Sequence, residues 1–97
     1  MIVVVATLEN VTESGEKVLE ACYQFLKKNY PETRLERLTT LSGKLGTRFG
    51  VWWHASLAAK EAYDAKLNAD PRWQKLFADA GPGPLWTQRD DYYSVVE

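Results

Sequence analysis

The sequence predicts one α+β domain covering residues 1–97, with four strands and two helical segments in the order β-α-β-β-α-β. Residues Ile2 to Leu8 and Thr47 to Trp53 are rich in β-branched and aromatic side chains. Each run is apolar on both of its faces, which is typical of a strand at the centre of a covered sheet. Helical spacing follows each run, so each central strand is expected to lead into a helix.

The first helix is predicted to be capped by Thr12 or Ser14, whose hydroxyl groups can accept from free N–H groups of the first turn. Pro31 ends it, because proline lacks the N–H that a helix interior requires. The apolar stripe between them consists of Val18, Leu19, Cys22, Phe25, Leu26 and Tyr30.

The second helical segment is predicted to be broken into two pieces. Ser56 is a candidate N-cap for the first piece. Asp70 and Pro71 mark a fresh start, since Asp caps a helix and Pro suits its first position. Trp73 opens the apolar stripe of the second piece, and the Gly-Pro-Gly-Pro run at 81–84 ends it.

Two further strands are predicted at the edges of the sheet. Residues Thr33 to Leu41 alternate imperfectly and carry charges that discourage edge pairing. Ser42 to Gly46 is a connection of hairpin length. Leu85 to Val96 supplies the last strand. Within it Asp90 and Asp91 are expected to mark a bulge or a break, because adjacent carboxylates would otherwise point to both faces.

The burial pattern makes the prediction more specific, since it favours a ferredoxin-like antiparallel sheet with the spatial order 4-1-3-2. That order places the first and third strands at the centre, and two helices can cover only one face of the sheet. The other face would expose a larger apolar patch than a monomer usually shows. One Trp buries about 150–250 Å², or roughly 4–6 kcal/mol gross at about 25 cal/mol per Å². We therefore expect a face-to-face homodimer.

Composition narrows the possible functions. The net charge of −1 gives no basic footprint for nucleic acid or an anionic membrane. Residues 1–8 are apolar but too short for a signal peptide or a membrane span. The single cysteine, Cys22, excludes an intramolecular disulfide and predicts a cytoplasmic location. With one histidine and no second ligand cluster, we expect no metal, and no cofactor-binding motif is present.

Two motifs resemble a known superfamily. They are Val51-Trp52-Trp53-His54 at the end of the central strand and Asp70-Pro71-Arg72-Trp73 at the helix break. Over residues 46–77 the chain resembles the dimeric α+β barrel superfamily, and within it the NIPSNAP-like and antibiotic-biosynthesis-monooxygenase domains. The resemblance implies two ferredoxin-like subunits whose sheets form a joint barrel, with a ligand cleft between each sheet and its helices. The superfamily includes cofactor-independent oxygenases, haem-degrading enzymes and polyketide cyclases, so the fold leaves the function open.

The haem-degrading members can be compared residue by residue. They resemble one another in an Asn at the end of the first strand, a Trp within the second helix and a His later in that region. Asn10 matches the first of these, but Ala65 or Lys66 occupies the helix position. No histidine follows His54, so the sequence argues against haem degradation.

Three residues are candidates for catalysis: His54, Arg48 and Asn10. His54 precedes a helix N-terminus, which disfavours added positive charge, so a neutral imidazole can serve there as a base. It would take a phenolic or enolic proton from an aromatic or polyketide-like substrate, while Arg48 or Asn10 stabilises the oxyanion. The simpler alternatives are a junction histidine bonded to the backbone, an ion pair for Arg48 and a turn position for Asn10.

Four aromatic residues are candidates for ligand binding: Trp52, Tyr63, Trp73 and Tyr93. Their alternative role is to pack the core or the dimer, where buried Tyr hydroxyls usually find a protein partner. Gly50 lacks a side chain beside Trp52, which leaves room either for a flat ligand or for close packing of a partner's aromatic ring.

The sequence therefore predicts a small-molecule-binding dimeric α+β barrel protein, with cofactor-independent oxygenation as its candidate chemistry. The alternative is a non-catalytic dimeric module whose aromatic residues are structural. A deep cleft lined by His54 and a tyrosine favours the first, and a cleft filled by side chains favours the second. RNA binding is suggested by the strand order and by Arg48-Phe49-Gly50. The acidic charge and a first strand without a stacking aromatic argue against it.

Overall fold

The computed structural model describes residues 1–43 and 46–96. The elements are β1 (Ile2–Glu9), α1 (Glu13–Asn29), β2 (Arg34–Thr39), β3 (Arg48–His54), α2 (Leu57–Asn68), α3 (Pro71–Ala78) and β4 (Thr87–Ser94). This is the predicted order, with the second helical segment divided into α2 and α3. Lys44 and Leu45, within the predicted hairpin connection, lie outside the described residues.

The four strands form one antiparallel sheet in the order β2-β3-β1-β4. The predicted ferredoxin-like arrangement is therefore confirmed, with the two runs that are apolar on both faces at the centre. In the register of β1 and β3, Val3 lies opposite Trp53 and Leu8 lies opposite Arg48. Because side chains alternate along a strand, each face of the sheet carries a defined set of residues.

The N-terminus of α1 is seated on the chain segment that precedes β4. Thr12, one of the two predicted caps, accepts from the N–H of Gly15 at 3.0 Å. The backbone N–H of Thr12 in turn donates to the carbonyl oxygen of Leu85 at 2.9 Å. Gly15 is buried against the same carbonyl, and a Cβ at this position would lie 2.1 Å from it. This helix therefore begins where only a glycine fits.

The break between α2 and α3 is held by Asp70, the N-cap of α3. Its carboxylate accepts from the backbone N–H of Arg72 at 2.9 Å and from the Arg72 guanidinium at 2.8 Å. The Tyr30 hydroxyl, at the end of α1, donates to the same carboxylate at 2.8 Å. The Arg72 guanidinium, with the Tyr30 hydroxyl adding to it, holds the pKa of Asp70 well below its ordinary value. The hydrogen bonds of Asp70 at the predicted helix break therefore also connect the end of α1 to the start of α3.

The expected bulge or break at Asp90 and Asp91 is wrong. β4 pairs with β1 residue by residue, from Ile2 opposite Ser94 to Glu9 opposite Thr87. The two carboxylates do point to opposite faces, and each finds a partner beside it. Asp90 accepts from Gln88 at 2.8 Å, and Asp91 accepts from Arg89 at 3.0 Å. An edge strand leaves both groups in contact with water, so nothing forces the strand to bend.

The helices pack on one face of the sheet, which we call the inner face. It carries Val4, Ala6 and Leu8 of β1 and joins the core cluster of Leu26, Tyr30, Leu35 and Leu67. Cys22 is also buried on this side, and burial raises the pKa of its thiol to about 12. Its burial agrees with its place in the apolar stripe predicted for the first helix, and a buried thiol with a raised pKa is unreactive.

The opposite face, the outer face, carries an apolar centre with a charged border. Its residues are Val3, Val5 and Thr7 of β1, Phe49, Val51 and Trp53 of β3, Arg34, Glu36 and Leu38 of β2, and Arg89, Asp91 and Tyr93 of β4. The Arg34 guanidinium lies 3.8 Å from the centre of the Trp53 ring. Leu38 and Tyr93 remain 54% and 55% exposed. Within the described residues, no helix packs against this face.

Of the helices that the structure describes, none combines the length and the apolar character that crossing a bilayer requires.

Candidate functional site

A cavity of about 370 Å³ lies between the inner face of the sheet and the helices. Five of the seven predicted site residues line it: His54, Arg48, Trp52, Tyr63 and Trp73. Its volume falls within the range of about 300–1,000 Å³ that is typical of small-molecule sites. The cleft is therefore open to a ligand and is not filled by side chains.

His54 ends β3 and faces the cavity with only 7% of its surface exposed. Its ring meets the ring of Tyr63 edge to face, with the two centroids 5.1 Å apart. Burial lowers the pKa of His54. The negative charge of Asp64 opposes this effect, and the positive charge of Lys60 adds to it. Within the described residues the imidazole makes no hydrogen bond, in contrast to the junction histidine considered above. A neutral imidazole with a free nitrogen can accept a proton from a ligand.

Trp52 occupies the space that Gly50 leaves open. A Cβ at Gly50 would lie 2.7 Å from Cζ3 of the Trp52 indole, so the indole lies directly over this glycine. The space beside Gly50 is therefore filled by a residue of the same strand and not by a ligand or a partner's ring. The indole N–H of Trp52 is buried and has no hydrogen-bond partner among the described residues.

Tyr63 projects from α2 towards the same end of the cavity. Its ring contacts Tyr30 as well as His54, with a centroid distance of 5.8 Å to Tyr30. Burial raises the pKa of Tyr63 to about 12, and the nearby Trp52 indole N–H partly opposes this. The hydroxyl therefore stays protonated at neutral pH and can donate a hydrogen bond.

Lys60 and Asp64 are cavity residues that the sequence reasoning missed. They form an ion pair one turn apart on α2, and the Lys60 side chain is only 15% exposed. Its ammonium also lies 4.7 Å from the centre of the Tyr92 ring. Burial depresses the pKa of Lys60, but Asp64 and Tyr92 outweigh it, so the net shift is upward. The spacing of Lys60, Tyr63, Asp64 and Leu67 was the available signal, since these positions share one face of a helix.

Arg48 lies at the other end of the cavity from His54. It forms an ion pair with Glu16 of α1, at 2.9 Å between Nη2 and Oε1. Arg48 and His54 are six steps apart along the extended strand β3, a distance of about 20 Å at roughly 3.3 Å per residue. One reacting group cannot contact both side chains, so this ion pair matches the simpler alternative for Arg48.

Asn10 and Tyr93 do not line the cavity. Asn10 adopts a positive φ of 54° after β1, and its side-chain amide donates to the Thr87 hydroxyl at 3.2 Å. It is the turn residue of the simpler alternative. Tyr93 belongs to the outer face, opposite Val3. Trp73 does line the cavity, and its ring packs between Phe25 and Phe77 at centroid distances of 5.9 and 5.2 Å.

The described residues contain no group of three or more His, Cys, Asp or Glu side chains placed to hold a metal ion. The polar groups at the His54 end are instead one imidazole, one phenol and one ion pair, around aromatic walls. This set suits binding and proton transfer on an uncharged planar molecule.

No protein-family model and no curated protein matches the chain. Solved structures do match it. An uncharacterised NIPSNAP domain protein from Burkholderia xenovorans matches with a TM-score of 0.76 and 21% identity, over 99% of this chain and 95% of that one. A candidate antibiotic biosynthesis monooxygenase from Caulobacter crescentus gives 0.68 and 23%, over 99% and 90%.

A third match is a mutant of MhuD, solved with two manganese protoporphyrin IX molecules in each active site. Its TM-score is 0.60 and its identity 22%, over 100% of this chain and 96% of that one. At these identities the three structures establish a shared fold. The resemblance to NIPSNAP-like and antibiotic-biosynthesis-monooxygenase domains is confirmed at that level.

Proposed function

We propose that two copies of this chain pair through their outer faces and that each binds a planar aromatic molecule in its cavity. The observation that carries the binding proposal is a cavity of about 370 Å³ with His54 and Tyr63 together at one end. A deep cleft lined by a histidine and a tyrosine is typical of a ligand-binding domain. Trp52 and Trp73 supply flat apolar walls for an aromatic ring.

The outer face supports the pairing. Val51 is already buried at the centre of this face, whereas Leu38 and Tyr93 are more than half exposed. A second copy would cover these groups and the part of the half-buried Trp53 side chain that is still exposed. The charged border around the apolar centre is the usual composition of a protein interface.

The reaction that this site suits begins with proton transfer to His54. The imidazole is neutral and nearly buried, so it can take the proton of an enol or phenol held against Tyr63. The resulting enolate or phenolate has carbanion character at carbon and can react there with dioxygen, the co-reactant. For a methylene such as that of anthrone, two C–H bonds break, one oxygen atom becomes the new carbonyl oxygen, and the other leaves as water. Arg48 and Asn10 have no part in this proton transfer, since one lies at the far end and the other outside the cavity.

Haem is not part of the proposal, because the residues do not fit it. Asn10 bonds Thr87 outside the cavity, and Ala65 is an exposed residue of α2. His54 packs its ring against Tyr63 and is almost fully buried. The three positions that haem-degrading members use are therefore absent or turned elsewhere.

Oxygen uptake with anthrone as the probe tests the catalytic part. We expect the protein to accelerate conversion to anthraquinone above the rate in buffer, and His54→Gln to remove the acceleration. Lys75→Gln, on the exposed side of α3, is the control and should retain it. Equal rates for the protein and His54→Gln would contradict the mechanism. Binding of aromatic probes without turnover would leave the binding proposal in place and remove the catalytic part.

A further inference from the structure

The Tyr30 side chain is fixed at both of its ends. Tyr30 is the C-cap of α1, and its backbone N–H donates to the carbonyl oxygen of Leu26 at 2.9 Å. Only 4% of its surface is exposed. At the far end of the ring, the hydroxyl donates to Oδ2 of Asp70 at 2.8 Å. A hydrogen bond to a carboxylate is stronger than one between neutral groups, so the ring orientation is well defined.

Asp70 is itself held in place and can therefore anchor Tyr30. Its carboxylate accepts from the backbone N–H of Arg72 at 2.9 Å, which caps α3. The Arg72 guanidinium donates to the same carboxylate through Nη2 at 2.8 Å and through Nε at 3.1 Å. Nη1 of Arg72 donates to Oδ1 of Asn29, the neighbour of Tyr30, at 3.1 Å. The position of Asp70 is thus defined by α1 and α3 together.

Two ring contacts lead from Tyr30 to the cavity. The Tyr30 ring meets the Tyr63 ring edge to face, with the centroids 5.8 Å apart. The Tyr63 ring meets the His54 ring in the same manner at 5.1 Å. Aromatic pairs prefer this geometry, so each ring restricts the orientation of the next. Because the imidazole has no hydrogen-bond partner in the part of the chain that the structure describes, its contact with Tyr63 is what orients it.

We propose that Tyr30 is a positioning residue for the His54 imidazole, that it acts through the ring of Tyr63, and that its hydrogen bond to Asp70 maintains this role. The inference rests on the proposed function, because it concerns the same histidine and the same proton transfer. A general base must hold its nitrogen within hydrogen-bond reach of the proton that it takes. Tyr30 should therefore influence the reaction, although it does not line the cavity.

The NMR signal of the His54 Cε1–H group tests the positioning in the ligand-free protein. His54 is the only histidine, so the signal is unambiguous. The ring current of Tyr63 displaces it, so at a pH where the imidazole is neutral its chemical shift reports how the two rings are placed. We expect Tyr30→Leu, which removes a ring, to move the signal most. Tyr30→Phe removes only the hydroxyl and should move it less, and it remains usable where Tyr30→Leu does not fold.

Two further variants serve as controls. Asp70→Asn keeps a good N-cap and an oxygen that can accept from the Tyr30 hydroxyl, so it should move the signal less than Tyr30→Phe does. Gly15→Ala controls for lost stability, because Gly15 is overpacked by this change but lies about 20 Å from Tyr30 along α1, at roughly 1.5 Å per residue. It should leave the signal in place. A signal that is unchanged in both Tyr30 variants, or that moves equally in Gly15→Ala, would overturn the inference.

Turnover of anthrone tests the consequence for the reaction. Tyr30→Phe should lower kcat by about threefold to tenfold and leave KM nearly unchanged, since Tyr30 positions the base without contacting the substrate. A kcat equal to that of the unsubstituted protein would overturn the inference. Absence of turnover in the unsubstituted protein would instead contradict the proposed catalysis, and the histidine signal would then decide the positioning on its own.

Discussion

Trp52 and Trp53 are consecutive residues of one strand, yet they lie in opposite kinds of surroundings. Trp52 is on the inner face, where its indole rests on Gly50 and its N–H is buried without a partner among the described residues. Trp53 is on the outer face, where the Arg34 guanidinium covers its ring at 3.8 Å. The N–H of Trp52 is enclosed by its own subunit and lacks a polar partner among the described residues. Trp53 has a polar neighbour, and no described helix packs over its face of the sheet.

The two faces of the sheet differ in the kind of group that is left without a partner. The inner face already has an apolar cover and a cavity, and what remains unsatisfied there is polar, as expected of a small-molecule site. The charges of the outer face pair with one another, through Arg34 with Glu36 and Arg89 with Asp91. The exposed apolar surface of Leu38 and Tyr93 has no such partner there, as expected of a protein interface.

The largest effect is expected from placing a charge at the centre of the outer face. Trp53→Glu should weaken the dimer by at least about a hundredfold, because it removes an aromatic contact and buries a carboxylate at the centre of the interface. The subunit should stay folded, since Arg34 lies opposite this position and can pair with the new carboxylate. Sedimentation equilibrium gives the dissociation constant, and circular dichroism checks the fold. An unchanged dissociation constant would mean that the subunits do not meet through this face.

Gly15→Ala tests the close contact between α1 and the chain segment that precedes β4. Its Cβ would lie 2.1 Å from the Leu85 carbonyl oxygen, and backbone cannot move aside cheaply. We expect a loss of about 1–3 kcal/mol in the free energy of unfolding, typical of an overpacked site. Urea denaturation measures it. Ser14→Ala, one position away and exposed, should change stability by less than about 0.5 kcal/mol. Similar values for the two variants would show that Leu85 does not confine α1.

A smaller effect on dimerisation is expected at the edge of the sheet, where two adjacent tyrosines allow the two faces to be compared. Tyr92 and Tyr93 are adjacent and similarly exposed, at 50% and 55%, but they point to opposite faces. Tyr93→Glu should weaken the dimer by about tenfold, since it loses part of an aromatic contact and adds a charge to the interface. Tyr92→Glu should leave the dimer intact, because the new carboxylate would lie beside Lys60. Equal effects in sedimentation would remove the distinction between the faces.

The smallest effect is the dependence of stability on pH. Burial lowers the pKa of His54 below its ordinary value of 6.5, so below that pH the unfolded chain binds a proton more readily than the folded chain. Stability should therefore fall as the pH drops from about 7 to about 5.5, above the range in which most carboxylates titrate. His54→Gln should flatten this part of the profile of urea midpoints. A slope that persists in His54→Gln would assign it to other groups.

Most of the fold could be predicted because its determinants are local. Two runs that are apolar on both faces predict the two central strands. Ser56 and Asp70 predict the starts of α2 and α3, and the structure confirms both as N-caps. The error at Asp90 and Asp91 came from treating a carboxylate doublet as a defect in a strand. On an edge strand each carboxylate can meet water and a neighbouring side chain, so the ladder continues.

The site was predicted less completely, because it depends on contacts between distant parts of the chain. His54, Trp52, Tyr63 and Trp73 line one cavity. Asn10 was chosen for its place at the end of β1, but its φ of 54° turns it away towards Thr87. The Trp52 ring packs against Gly50, and the Leu85 carbonyl oxygen leaves no room for a Cβ at Gly15. Sequence spacing does not reveal either of these close contacts.

Native mass spectrometry of the freshly purified protein tests most directly the claim that a second copy covers the outer face. At micromolar concentration we predict a species of twice the chain mass of 11.1 kDa, which Trp53→Glu converts to the single chain. A folded protein that stays at the mass of one chain under these conditions would contradict the claim.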